Sequence, residues 1–165
     1  MPGSRGVYTV SFFEQSITAA NGDYDLWEID PAADKPVEIV AIFIGNKSEV
    51  GDAQEEMVSW SIVYMSGGTF TSSNGTATTP TKLDPADGAA SGTYETVGST
   101  IATTTGTSVQ VHQDTFNIRT GLQLIFPPDM RPKCDGAANS AILIRLRTAL
   151  ADDATISGTL YVREL

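Results

Sequence analysis

Few side chains in this sequence could do covalent or acid–base chemistry. His112 is the sole histidine, so a Ser–His–Asp, Cys–His or multi-histidine metal centre would have to use it. It stands between Val111 and Gln113 in an alternating stretch, which places it on a strand as a solvent-facing or hydrogen-bonded residue. Cys134 is the only cysteine. One cysteine allows no disulfide and no cysteine-based zinc site within the chain. It reads as a small apolar filler or loop residue, with an intermolecular bridge as the alternative. Carboxylates are plentiful, clustering at Asp52, Glu55 and Glu56, at Asp84 and Asp87, and at Asp152 and Asp153. Paired carboxylates can hydrolyse glycosides only at a set separation across a cleft, and oxygen-rich loops can hold calcium. No twelve-residue calcium loop, Walker loop or dinucleotide fingerprint is present. The plainer reading of these acids is solvated turns. Trp27 and Trp60 could stack on sugars, but each lies in an alternating strand, where core packing is the simpler role. The expectation is a protein with no enzymatic activity, no cofactor and no metal site.

Charge narrows the partners. The net charge is −10 and only ten Lys and Arg are scattered along the chain, so neutralisation of a phosphate backbone is disfavoured. The acidity reads as solubility, or as a match to a basic patch on a partner. Arg145 and Arg147 alternate with apolar residues and read as one solvated or interfacial face. No apolar run approaches 18 residues, which excludes a membrane-spanning helix, and Met1 to Gly6 lacks the apolar core of a signal peptide.

The elements that must position these groups are strands. Charged residues make up 18% of the chain against a usual figure of about 25%. Ser, Thr, Gly and Ala fill the difference, a composition suited to strands with neutral surfaces. Val7 to Ile17 alternates, Asn21-Gly22-Asp23 turns, and Tyr24 to Ile29 forms a short strand. Val37 to Ile44 is apolar on nearly both faces, as expected in a sandwich centre or a subunit contact. Val58, Trp60, Ile62 and Tyr64 share one face of the cleanest period-two stretch. Ser66 to Thr81, rich in Gly, Ser and Thr, should be an exposed loop or one ordered by a neighbour, and the stretch through Tyr94 and Val97 should be flexible. Leu83 to Asp87 could form one helical turn. Val109 to Gln113 continues as Asp114 to Ile118 past a bulge. Leu122, Leu124 and Phe126 share a face, and Pro127 to Pro132 is a rigid connection. Ala141 to Leu150 and Thr155 to Leu165 read as a terminal hairpin around Asp152-Asp153. The sum is an all-β, single-domain sandwich over residues 7–165, jelly-roll-like with about eight strands, behind a flexible N-terminal arm of residues 1–6.

Several stretches together resemble a family of small virion-associated proteins of tailed bacteriophages and prophages. They are Val7-Tyr8-Thr9-Val10-Ser11-Phe12, Asp34 to Val40, Gly51 to Glu56, Asp114 to Arg119, Met130-Arg131-Pro132 and Ser157 to Leu165. None is a catalytic motif, so the resemblance implies a class and no mechanism. It implies a virion structural protein. The reading favoured here is a capsid decoration (cement) protein that binds the major capsid protein or another virion protein. Such a protein would sit on the capsid surface as a homotrimer and be assembled in the host cytoplasm, with no contact to nucleic acid or membrane. A tail, neck or fibre protein is the alternative, and a carbohydrate-binding module a lesser one. The residues expected at a subunit or capsid interface are Tyr8, Phe12, Phe13, Val37, Ile39, Ile42, Phe43 and Ile44.

Overall fold

The computed structural model describes residues 6–48, 56–147 and 150–165. The long strands in chain order are β1 (Val7–Ile17), β2 (Tyr24–Asp30), β3 (Val37–Asn46) and β4 (Met57–Ser66). Short strands follow: β5 (Phe70–Thr71), β6 (Thr76–Ala77), β7 (Thr81–Lys82), β8 (Thr93–Gly98) and β9 (Thr103–Thr104). The chain closes with β10 (Thr107–Asn117), β11 (Leu122–Ile125), β12 (Lys133–Cys134), β13 (Ala141–Leu146) and β14 (Ala154–Glu164). Only two short 3-10 turns, Ala19–Asn21 and Pro128–Met130, interrupt the β structure of the described residues.

The strands form an all-β sandwich of two six-stranded antiparallel sheets, with β5 and β9 paired as a separate two-stranded sheet. Sheet 1 has the order β11-β3-β14-β1-β7, with β12 also on β3; sheet 2 has the order β10-β4-β13-β2-β8-β6. Successive long strands β1 to β4 alternate between the sheets, as do β10, β11, β13 and β14. The C-terminal strands are therefore not the expected hairpin. Strand β13 lies between β4 and β2 in sheet 2, and β14 between β3 and β1 in sheet 1. A hairpin would have buried β13 on one face only; here all six of its residues are buried.

Period-two patterning explains the core. Strand β14 alternates without a break, burying Ala154, Ile156, Gly158, Leu160, Val162 and Glu164. Strand β3 changes phase midway. Ala41 pairs with Tyr161 and Ile39 with Val162, so Val40 is an extra residue and the inward row runs Val37, Ile39, Ile42, Ile44. Trp27 locks the sheets together: its Nε1–H donates to the Val10 carbonyl at 2.9 Å, and its ring meets Phe12 at 4.9 Å between centroids. Gly158 makes room for that ring, since a Cβ there would lie 2.5 Å from a Trp27 ring carbon.

Two further expectations give way. Thr93–Gly98, read as flexible, is β8 and pairs with β2. Leu83 to Asp87 forms no helical turn; it bends through a turn closed by Asp87 N–H to Asp84 O at 3.0 Å. Of the expected arm, only Gly6 lies within the described residues.

Candidate assembly surfaces

The eight residues expected at an interface divide sharply. Tyr8, Phe12, Val37, Ile39, Ile42 and Ile44 point between the sheets and are buried in this chain's own core. They offer no side-chain surface to a partner of the folded protein, because an interface strand and a core strand carry the same apolar alternation. Phe13 and Phe43 point the other way. Phe13 is 75% exposed and Phe43 half-buried on the outer face of sheet 1.

That outer face is built from the opposite row of each strand. Across it, Ile125 aligns with Ala41, Tyr161 and Thr9, and Gln123 with Phe43, Thr159 and Ser11. Ile125 is 68% exposed, and Phe43 meets Tyr161 edge-on at 5.7 Å. A shallow groove of about 330 Å³ runs between Phe13 and Phe43, floored by Ser11, Ser157 and Thr159. At one end Glu38 is buried among three cations. Its Oε1 accepts from Arg131 Nη1 at 2.7 Å and Arg163 Nη1 at 3.1 Å, and Lys133 Nζ lies 3.6 Å from Oε2. Three cations surround this one carboxylate, and Arg163 also lines a pocket with Asp84 and Asp87.

The outer face of sheet 2 is roofed by the chain between β4 and β10. Val63, Met65, Ala141 and Leu143 form a second apolar cluster with Ala102 and Phe70 of that roof. Buried charges pin it. Asp25 and Arg145 pair at 2.6 and 2.9 Å, Asp25 Oδ2 accepts the Ala102 N–H at 2.7 Å, and Arg145 Nη2 donates to the Ala102 carbonyl at 2.9 Å. Arg145 is thus no part of a solvated face; Arg147, by contrast, is about one-third exposed. Glu28 Oε2 accepts the Ser73 N–H at 2.8 Å, while Glu95, its cross-strand neighbour, accepts from Ser72 and Gly75. Burial, with the Glu95 charge adding to it, raises the Glu28 carboxyl above its usual range. Ser66 to Thr81 is therefore mostly exposed, as expected, but held by its own chain: Ser73 is buried by contacts with sheet 2, and Thr81 joins sheet 1 through β7.

The remaining reactive groups are structural. His112 stacks on Trp60 at 4.9 Å and meets Phe126 at 6.0 Å, so it packs between the sheets instead of facing solvent. Its Nε2 is buried with no hydrogen-bond partner among the described residues. Burial pushes the Cys134 thiol up to about 12, out of the nucleophilic range. Tyr94 is raised well above its usual value, first by burial and then by Glu164, whose Oε1 accepts its hydroxyl at 3.0 Å. Burial also raises Asp30. Trp27 and Trp60 are both buried, which leaves neither ring free to stack on a sugar. Asp84 and Asp153 accept the Ala86 and Ala19 N–H groups, and Glu56 accepts from Ala151; Asp52 and Glu55 lie outside the described residues. Among the described residues no three His, Cys, Asp or Glu side chains come together in a way that could hold a metal ion, and no helix is long and apolar enough to cross a membrane.

Among the described residues, one sheet is covered on its outer face by its own chain and the other is not. Comparison with protein-family models, curated proteins and solved structures finds no match to this chain.

Proposed function

We propose that this chain is a structural protein of a bacteriophage particle, a decoration protein that docks on the capsid shell through the outer face of sheet 1. The observation that carries the docking surface is the set of Phe13, Phe43, Tyr161 and Ile125 spread across an outer face left uncovered by the described residues, with the Arg131, Lys133 and Arg163 cluster at one end. Apolar side chains with cations at one end fit a partner surface that is apolar in its centre and acidic at its edge. Burying each large side chain is worth about 1.5–3 kcal/mol, so two or three of them suffice as anchors.

The connectivity supports the reading. Taking β1, β2, β3, β4, β10, β11, β13 and β14 as strands one to eight, sheet 1 runs 1-8-3-6 and sheet 2 runs 2-7-4-5. That order is the one expected of the two Greek keys of a jelly roll, an architecture of viral capsid domains as well as of lectins and cupins, and it supports the reading to that extent. The likeness to tailed-phage virion proteins supplies the particle, and the reactive groups described above are buried or engaged in structural hydrogen bonds. A species that binds only the assembled shell stabilises it by mass action, which is how such a protein would act as a cement.

The test is to add purified protein to undecorated, expanded shells. Decoration predicts saturable binding and a higher shell melting temperature, both lost in the Phe13→Asp/Ile125→Asp variant. Labelling confined to tails or necks would replace the capsid assignment with the tail, neck or fibre role.

A further inference from the structure

The outermost strands at three of the four sheet edges are short, β7 and β6 with two residues each and β11 and β12 with four and two. Strand β7 covers only Tyr8 and Thr9 of β1, whose further edge is broken by the bulge between Phe12 and Gln15. Strand β10 is different. It is an 11-residue edge that pairs only with β4 among the described residues, and it contains no Lys, Arg or Pro. Long edges with so little charge, here Asp114 alone, are templates for strand addition, and natural proteins normally blunt them. Val109 and Val111 on this strand are 45% and 50% exposed.

The ladder shows which groups are free. Arg147 N–H bonds the Ser59 carbonyl, so the odd-numbered residues of β4 turn their backbone toward β13. Their opposites on β10, namely Ser108, Gln110, Gln113, Thr115 and Asn117, therefore turn N–H and C=O toward the open edge. The bulge at Val111 sets the spacing of these groups, with a three-residue step from Gln110 to Gln113 between two ordinary two-residue steps. A regular strand cannot follow that step without a bulge of its own. A second β10 running antiparallel carries the same step in the same place.

We infer that this edge is a self-association surface, on which two copies pair β10 to β10 about a two-fold axis lying between Val111 and His112. In that register Gln110 faces Gln113 of the second copy and Ser108 faces Thr115, while Asn117, whose carbonyl already accepts from Thr120 and Gly121, lies beyond the paired stretch. The facing side chains are neutral amides and hydroxyls that hydrogen-bond one another. Asp114, the only charged residue of the strand, falls opposite Val109 and never opposite itself. Its carboxylate accepts the Thr115 N–H at 2.8 Å in the single chain, so the two central Gln pairs hold the contact and the outer pairs follow on release of that bond. The contact is isologous and makes a dimer, in place of the homotrimer expected from the family resemblance. It does not depend on the capsid assignment.

Sedimentation of the full chain over a wide concentration range tests it, alongside two surface variants whose melting curves check folding. The wild-type chain is expected to pass from one to two chains per particle. Gln110→Lys/Gln113→Lys places like charges opposite each other twice and is expected to weaken the dimer by about tenfold or more. Gln110→Lys/Gln113→Glu restores opposite charges across the axis and is expected to recover it. A wild-type monomer at the highest concentration, a trimer, or a double-lysine variant that dimerises like wild type would each overturn the inference.

Discussion

The two outer faces of the sandwich begin from similar strands and end differently. On sheet 2 the chain between β4 and β10 folds back, buries a second apolar cluster and is held by the Asp25–Arg145 pair and by Glu28 and Glu95. On sheet 1 no such cover exists among the described residues, and Phe13 and Ile125 stand in solvent. One face is thus sealed by the chain itself, while the other presents exposed Phe13 and Ile125 among Ser, Thr and Gln side chains; under the proposed docking role, stability and recognition would fall to different faces. Substitutions on the sealed face should cost stability. Substitutions on the open face should cost binding alone.

The largest expected effect comes from breaking the roof. Asp25→Ala leaves the buried Arg145 guanidinium unpaired and frees the Ala102 N–H, so unfolding should become easier by about 3–5 kcal/mol in denaturant titration. Next, Leu143→Ala opens a cavity under the roof and should cost about 2–5 kcal/mol. Neither change should alter shell affinity while the chain is folded.

The pH response of the roof is subtler. The Glu28 carboxyl is raised above 4.5 by burial, so the folded state holds its proton more tightly than the unfolded chain does. This contribution is fully present below the unfolded value near 4.5 and is lost as pH rises through the higher folded value. Thermal melts across that window should show Glu28→Gln flattening the slope, and Asp30 adds in the same direction. The smallest effect on stability belongs to the open face. Phe13→Ser should stay within about 0.5 kcal/mol of wild type, since an exposed side chain loses little on truncation.

Strand β3 was legible as a run apolar on nearly both faces, while period-two alternation made β1 and β4 legible, down to the inward row of Val58, Trp60, Ile62 and Tyr64. It failed wherever the decisive partner is distant. Thr93–Gly98 is short and hydroxyl-rich, and only pairing with β2 makes it a strand. Arg145 looks solvent-facing until Asp25, 120 positions away, closes over it. The last two strands are neighbours in sequence, yet each inserts between strands from earlier in the chain. Of the interface residues, Phe43 faces outward because a bulge at Val40 shifts the phase of β3, a change no local pattern announces. Ile125, the other exposed anchor, followed Leu122 and Leu124 in a run whose shared face drew attention away from it.

The central claim is that the bare face of sheet 1 joins this protein to a larger assembly. The most direct measurement is a titration of undecorated shells with wild-type chain and with Phe13→Asp/Ile125→Asp, read by co-sedimentation and shell melting. The account predicts saturable binding and a raised melting temperature for the wild type, with both absent in a variant whose own melting curve is unchanged. Equal binding by the two proteins, or none by the wild type, would contradict it.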